Sequence, residues 1–407
     1  MKILLVHNFY GSSAPSGENA VFLAESELLR SKGHRVIEFT RHSDEIRHRG
    51  VIGTIQGAIA TPWNPFSFIK LRHLLEEEQP DIMHVHNTFP LLSPSVFYAA
   101  QGIKTATILT MHNYRMFCAS GILMCDNAPC IDCIDRKSVL PALKHGCYRK
   151  SRFATIPIAV KIALHRKLRT WERHVDAFIA LTGFQKEKMV KAGIPSDVVY
   201  VKPNFYSNPP APMLWDEREN KAIFIGRLGL EKGVQVLIEA WKTWGHEAPI
   251  LEIVGGGPEG DSLINAIKRT IVEQKVVFRG QLPFEDTQRS LARARLLVLP
   301  SICFEGFPMA IREAFAFGVP VAASNIGSIP YIVTNGKNGI LFEPGDAADL
   351  LREVKNVWCK PIKLFNLAKA AREEFDNKYT DEINYQLLMD IYEKASFSRK
   401  NKDNNLL

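Results

Sequence analysis

The apolar positions of this chain fall into two alternating patterns. Short continuous apolar runs are followed by longer stretches whose apolar residues recur at helical spacing. Ile3–Val6 is the first run, and a run with no polar member suits a strand buried on both faces. A Gly/Ser/Pro loop from Gly11 to Gly17 follows. Asn19–Ser31 then carries Val21, Ala24 and Leu28 at helical spacing and stops at Gly33, a helix terminator. Arg35–Thr40, Asp81–Val85, Thr105–Met111 and Ala177–Leu181 read as further strands. The pattern restarts with a strand at Lys221–Ile225, a loop at Gly226–Gly233 and a helix at Val234–Trp244. It continues through strands at Ile250–Val254, Val276–Arg279, Leu296–Leu299, Val319–Ala323 and Ile340–Phe342. Such alternation predicts an α/β chain with parallel sheets covered by helices on both faces.

Pro203 to Asn220 breaks the periodicity with four prolines and charged residues. It predicts an N-terminal domain over 1–204 and a C-terminal domain over 205–379, with a helix at about 380–396 free to pack back on the first. Two parallel α/β domains joined in this way are expected to face each other across a cleft. Ligands of such sheets bind beyond the carboxyl ends of the strands. Ser396 to Leu407 is polar and is expected to be unstructured.

Composition narrows the class. The chain has 407 residues, 46% hydrophobic and 23% charged, which suits a globular protein with a core in each domain. A net charge of +8 is compatible with anionic ligands or an anionic membrane surface. No arginine-rich tract or nucleic-acid motif accompanies it, so no nucleic-acid partner is expected. The N-terminal apolar run is too short for a signal-peptide core, and no run approaches the ~18 apolar residues of a membrane span. A cytoplasmic location is therefore expected, with the seven cysteines mostly reduced.

The densest chemistry lies in Ser301-Ile302-Cys303-Phe304-Glu305-Gly306-Phe307-Pro308-Met309-Ala310-Ile311-Arg312-Glu313-Ala314, between a buried strand and a helix. A helix start with Pro308 in its first turn offers unpaired amides and a positive dipole end to an anion such as a diphosphate. Gly306 permits close backbone approach. Glu305 and Glu313 have carboxylates that accept hydrogen bonds from sugar hydroxyls, or else are solvated surface acids. Gly226-Arg227-Leu228-Gly229-Leu230-Glu231-Lys232-Gly233 also links a strand to a helix. Its two cations, Arg227 and Lys232, suit the charge of a departing diphosphate, or else form ordinary ion pairs.

Together, in this order and about 75 residues apart, the two stretches resemble the donor-binding domain of family 4 glycosyltransferases. The resemblance extends to Val254-Gly255-Gly256-Gly257-Pro258, Phe278-Arg279-Gly280 and Gly336–Phe342. It implies the double-Rossmann GT-B fold and a retaining transfer of a sugar from a nucleotide diphosphate donor to a glycan or lipid-linked acceptor. By the same resemblance Arg227 and Lys232 hold the diphosphate, and Glu305 contacts the donor sugar beside the backbone of Gly306 and Phe307. The resemblance further implies that Glu313 binds the ribose hydroxyls. Gly17 belongs to a glycine-rich loop, Gly11–Asn19, that departs from the family's paired glycines by having Ser16-Gly17. His112, at the end of the Thr110-Met111-His112-Asn113 strand, is implied by the resemblance to approach the donor sugar and acceptor; the alternative is a satisfied structural histidine. His84 and His86, at i and i+2, share a face and rank below it. No Asp-x-Asp motif occurs. That agrees with a catalytic centre in which cations and a helix end replace a divalent metal. A nucleotide-sugar epimerase of the same fold is the alternative enzyme, and a non-catalytic sugar-nucleotide binding module is a third reading.

Two features lie outside that resemblance's donor site. Cys118, Cys125, Cys130, Cys133 and Cys147 crowd into one segment, with Cys130-x-x-Cys133 at metal-ligand spacing. Four thiolates among them suit a structural zinc, the alternative being buried or surface thiols. Arg149–Val175 is basic and partly amphipathic. It reads either as a helix resting on anionic lipid, which would place the protein at the inner face of a membrane, or as one packed on the first sheet.

Overall fold

Ile3–Val6 lies inside β1 (Lys2–Phe9), which is buried from Ile3 to Asn8 as its unbroken apolar run requires. β1 pairs with β2 (Arg35–His42) and β3 (Ile82–Asn87), and β4 (Ala106–Met111), β5 (Ala177–Ala180) and β6 (Val199–Val201) complete the sheet. Its order is β2-β1-β3-β4-β5-β6, all parallel. The second sheet contains β7 (Lys221–Ile225), β8 (Ile250–Val254), β9 (Val276–Gly280), β10 (Leu296–Leu299), β11 (Val321–Ser324) and β12 (Gly339–Phe342). Its order, β9-β8-β7-β10-β11-β12, is again parallel throughout. Both sheets are Rossmann-like, and the second has the dinucleotide-binding strand order. β6 is the strand that the apolar pattern leaves out; only Val199 among its three residues is fully buried.

The computed structural model describes residues 1–11 and 16–404, with side chains through residue 400. The chain divides into two units. One holds Met1–Cys125, Cys130–Pro203 and the C-terminal segment from Glu382; the other holds Asp126–Pro129 and Asn204–Asp381. No helix among the described residues is long and apolar enough to cross a membrane.

The first unit's core joins Ile3, Leu5, Ile82, Ile108 and Ile179 of the sheet to Phe22 and Leu29 of the helix Gly17–Ser31. Leu388, Ile391 and Tyr392 of the helix Asp381–Asn404 close over the same core. Each such fully buried side chain contributes about 1.5–3 kcal/mol. This last helix corrects the expectation of an unstructured tail from Ser396 as far as Asn404, to which it runs; residues 405–407 lie outside the described residues. Arg399 donates to the carbonyls of Ala100 and Ile103, and Ser396 Oγ donates to Tyr392 O, so polar residues find partners without leaving the helix.

In the basic segment the structure decides which face is buried. Arg149–Val175 forms two helices, Arg152–Lys167 and Thr170–His174, broken at Arg169 with φ 53°. Lys161 is buried, with its ammonium 5.5 Å from the centre of the Phe89 ring, and burial pushes it down to about 7. The outward face instead carries Phe153, Ile156 and Val160.

Candidate functional site

In a parallel sheet the loops diverge where the strand order reverses, and ligands bind there. In the second unit that point lies between β7 and β10. The loops leaving these strands are Gly226–Gly233 and the segment from Pro300 to Pro308. They are close enough that the Ile302 amide donates to Glu231 O at 3.0 Å. Gly233 has φ 64°, and a Cβ there would lie 1.9 Å from Pro300 O, so only glycine fits. The loop after β8 packs on the same turn. The Leu228 amide donates to Gly256 O, the Glu259 amide donates to Leu228 O, and a Cβ on Gly257 would sit 2.3 Å from Leu228 O.

This backbone brings Lys232 to Glu305. Lys232 Nζ donates to Glu305 Oε1 at 2.5 Å, and Ser301 Oγ donates to the same oxygen at 2.7 Å. Burial alone would raise the Glu305 carboxyl, but Lys232 beside it holds it below its ordinary value. Burial likewise opposes the Lys232 charge, and Glu305 overcomes it and raises the ammonium. Both groups are therefore charged at neutral pH. Arg227 in the same loop is exposed and has no ion-pair partner among the described residues. Gly306 and Phe307 lead into the helix Met309–Ala316, which Pro308 caps from outside rather than entering. The amides of a first helical turn have no partner within the helix. Glu313 lies elsewhere in the unit's polar interior. It accepts from Gln288 Nε2 at 3.0 Å and from Arg312 Nη2 at 3.2 Å. Thus Lys232, Glu305 and Ser301 meet directly, whereas Glu313 is held by a separate set.

In the first unit His112 follows β4. Its Nε2 lies 3.1 Å from His86 Nδ1, with the rings stacked. His112 Nδ1 has no hydrogen-bond partner among the described residues. Behind this pair is a buried network that sequence reasoning missed. Glu25, on the helix Gly17–Ser31, is 1% exposed. Its carboxylate lies 2.9 Å from Lys202 Nζ, 3.1 Å from His84 Nδ1 and 3.2 Å from His86 Nε2. His84 also meets Thr110 Oγ1 at 2.7 Å and the Tyr392 hydroxyl at 2.9 Å. The available signal was an acid on the apolar stripe that also holds Val21, Phe22, Leu28 and Leu29.

Electrostatics sets the state of the buried carboxylate and of three of the imidazoles. Burial would raise Glu25, but Lys202, His84 and His86 hold it well below its ordinary value. Burial drives His84 down to about 4 and His7 to about 3. Burial and the neighbouring imidazoles hold His112 well below 6.5. His112 is then a neutral imidazole at pH 7, able to donate from one nitrogen and accept at the other. Glu25, His84 and His86 are close enough together to hold a metal ion, but Lys202 already supplies the positive charge there.

Gly17 begins the helix Gly17–Ser31, whose N-cap is Ser16. The rest of its loop, Ser12 to Pro15, lies outside the described residues. Glu18 in that first turn accepts from Asn113 Nδ2 at 2.6 Å, and burial raises its carboxyl. It is a second titratable group, beside the residue that follows His112, that the motif reading did not single out.

Known proteins decide the family. Residues 15–207 match Glycosyltransferase Family 4 and residues 210–374 match Glycosyl transferases group 1. The chain belongs to the family 4 glycosyltransferases. A glycogen synthase of Mycobacterium tuberculosis is 34% identical over 39% of this chain and 38% of its own length, so the chain spans less than half of that relative. The lipopolysaccharide 1,6-galactosyltransferase of Salmonella typhimurium is 28% identical over 49% of this chain and 57% of that protein. The putative teichuronic acid biosynthesis glycosyltransferase TuaC of Bacillus subtilis is 22% identical over 92% of this chain and 95% of that one. Among solved structures, Anabaena Alr3699/HepE in complex with UDP superposes with a TM-score of 0.65 at 18% identity, covering 96% of this chain and 99% of that one. The GT-B fold expected for the family is the fold observed.

Proposed function

We propose that this chain is a retaining, hexosyl-type glycosyltransferase that moves a sugar from a nucleotide diphosphate donor to a glycan or lipid-linked acceptor. The observation that carries the reading is the Lys232–Glu305 pair, set beside an exposed Arg227 at the strand-order reversal of the second sheet. As the glycosidic bond to the donor breaks, charge accumulates on the diphosphate. Arg227 and Lys232 meet that charge, helped by the amides that lead into the helix Met309–Ala316. In this reading they do without a divalent metal. Glu305 aims Lys232 and accepts from a donor-sugar hydroxyl, and Glu313 accepts from the ribose. His112, kept neutral by burial, hydrogen-bonds the sugar near the acceptor without adding a positive charge. The acceptor hydroxyl attacks from the face that the diphosphate leaves, and the departing oxygen takes its proton.

UDP-sugars are the first donors to test, because the structural relative Alr3699/HepE binds UDP. Calorimetry with UDP-, GDP- and ADP-sugars, followed by NMR of the product's anomeric centre, tests donor and stereochemistry together. An inverted anomeric configuration rules out the retaining mechanism. Full transfer by both Lys232→Ala and Glu305→Ala rules out the donor site.

The acceptor side of this proposal includes peripheral attachment to an anionic membrane. The helix Gly50–Ala60 exposes Val51, Ile52, Ile55 and Ile59, and the helix Arg152–Lys167 exposes Phe153, Ile156 and Val160. His165 Nε2, 2.9 Å from Pro62 O, ties the end of one helix to the other. Arg49, Arg152 and Lys167 add exposed charge at the helix ends. Flotation with anionic vesicles should carry the protein upward, and Ile55→Asp with Phe153→Asp should abolish this. Equal recovery with and without lipid removes the membrane reading.

A further inference from the structure

Between β4 and the helix Arg152–Lys167 the chain runs for about 40 residues without contributing to the main sheet. Within the first unit this segment's helices are only Asp132–Asp135 and Leu140–His145. Leu123, Lys137, Arg149 and Lys150 all take positive φ. The apolar cluster beneath it is formed by Phe89, Ala119, Ala142, Ile158 and Ile162, with Cys133 and Cys147 packed against it. A segment with this little regular structure gains from a staple.

Its cysteines converge where a staple would sit. Cys118, Cys125, Cys130, Cys133, Cys147 and His145 line one cavity, whose other walls are largely apolar. Cys147 is in hydrogen-bond contact with Cys125 and in electrostatic range of Cys118 and Cys133; Cys133 in turn neighbours Cys118 and Cys130. The backbone holds them in place. The Cys130 amide donates to Leu123 O at 2.7 Å and the Cys147 amide to Ala142 O at 3.1 Å. Among the described residues no disulfide joins any of them. Five thiols gathered in an apolar pocket, two of them in a Cys-x-x-Cys turn, match the soft ligand set that zinc prefers over oxygen-binding cations.

We propose that Cys125, Cys130, Cys133 and Cys147 bind one structural zinc ion as four thiolates. Cys118 is left out because it is buried in the wall, 3.1 Å from Ser120 Oγ, whereas the other four are half-buried. The ion would hold the segment against the first sheet. Tyr148, next to Cys147, lies under the Arg115 guanidinium, and the Arg115 amide donates to Asn113 Oδ1 at 3.0 Å. The staple thereby supports the turn after His112 without touching substrate. The site does not depend on the proposed reaction.

The test is elemental analysis of the full chain purified under reducing conditions. About one zinc per chain is expected. Cys118→Ser should keep it, while Cys130→Ser and Cys133→Ser should lower it at least tenfold. If those variants do not fold, the parent protein serves. A strong chelator should remove the zinc, expose about four additional reactive thiols and lower Tm, and added zinc but not magnesium should reverse this. Cobalt reconstitution should give intense thiolate charge-transfer absorption. A zinc-free protein that gives no such absorption with cobalt overturns the site. Loss of zinc in Cys118→Ser to the same extent as in Cys130→Ser overturns the ligand set.

Discussion

The second unit's Lys232–Glu305 pair and the first unit's Glu25–Lys202 pair are both carboxylate–ammonium contacts, at 2.5 and 2.9 Å. They differ in what surrounds them. The Lys232 and Glu305 side chains are 24% and 13% exposed and lie beside a solvent-facing Arg227, so an incoming anion can share their charge. The Lys202 and Glu25 side chains are 2% and 1% exposed and are walled in by His84 and His86. The first arrangement leaves positive charge available to a ligand. The second pairs its two charges away from solvent, behind a His112 that burial and the neighbouring imidazoles keep neutral. The same ionic contact can thus serve binding or internal positioning, depending on access to solvent.

Removing one partner from the sealed pair should do the most damage. Glu25→Leu strands a buried ammonium and should cost about 3–5 kcal/mol in urea unfolding; the double variant Glu25→Leu/Lys202→Met should recover much of it. A loss within 0.5 kcal/mol would break the contrast.

At the open pair the expected loss is in turnover. Lys232→Ala and Glu305→Ala should each lower kcat by about 100- to 1000-fold, the scale of removing a charge-stabilising group, with unchanged circular dichroism. A purely structural pair would instead lower Tm and leave the kcat of the folded fraction intact.

The histidines sharpen the comparison through pH. His84 lies at about 4 and His7 at about 3 in the folded chain, against an ordinary 6.5. Between pH 6.5 and 4 the unfolded chain therefore binds more protons. Stability should be greatest above pH 6.5 and fall on acidification through that window. The urea midpoint measured against pH reads this directly, and His84→Gln should flatten it. A midpoint constant from pH 7 to 4.5 would show that the network does not exclude protons.

The smallest effect is expected at the exposed cation. Arg227→Ala should raise the donor KM by about tenfold, roughly 1.4 kcal/mol, and leave Tm unchanged. An unchanged KM would remove Arg227 from the donor site.

The second sheet was legible in the sequence almost residue by residue. Lys221–Ile225, Ile250–Val254 and Leu296–Leu299 appear with the bounds that their apolar runs predict, because strands buried on both faces tolerate few polar residues. The donor-side loops were legible for a related reason. Gly226–Gly233 and Pro300–Pro308 each follow such a strand, and their glycines mark close backbone approach. Which face of the basic helix turns inward was not legible, because spacing does not encode it, and Lys161 went to the Phe89 side.

By itself the sequence determined the alternation of strands and helices, the family, and the Arg227, Lys232 and Glu305 motifs, all carried by short-range patterns. Tertiary structure decided what those residues meet. Lys232 reaches Glu305 across 73 positions because β7 and β10 pair, and Glu25 reaches Lys202 across 177. It also decided that Tyr392, 308 positions from His84, closes the histidine network. Such contacts arise from strand order and from helices returning to a sheet, and no local spacing encodes them.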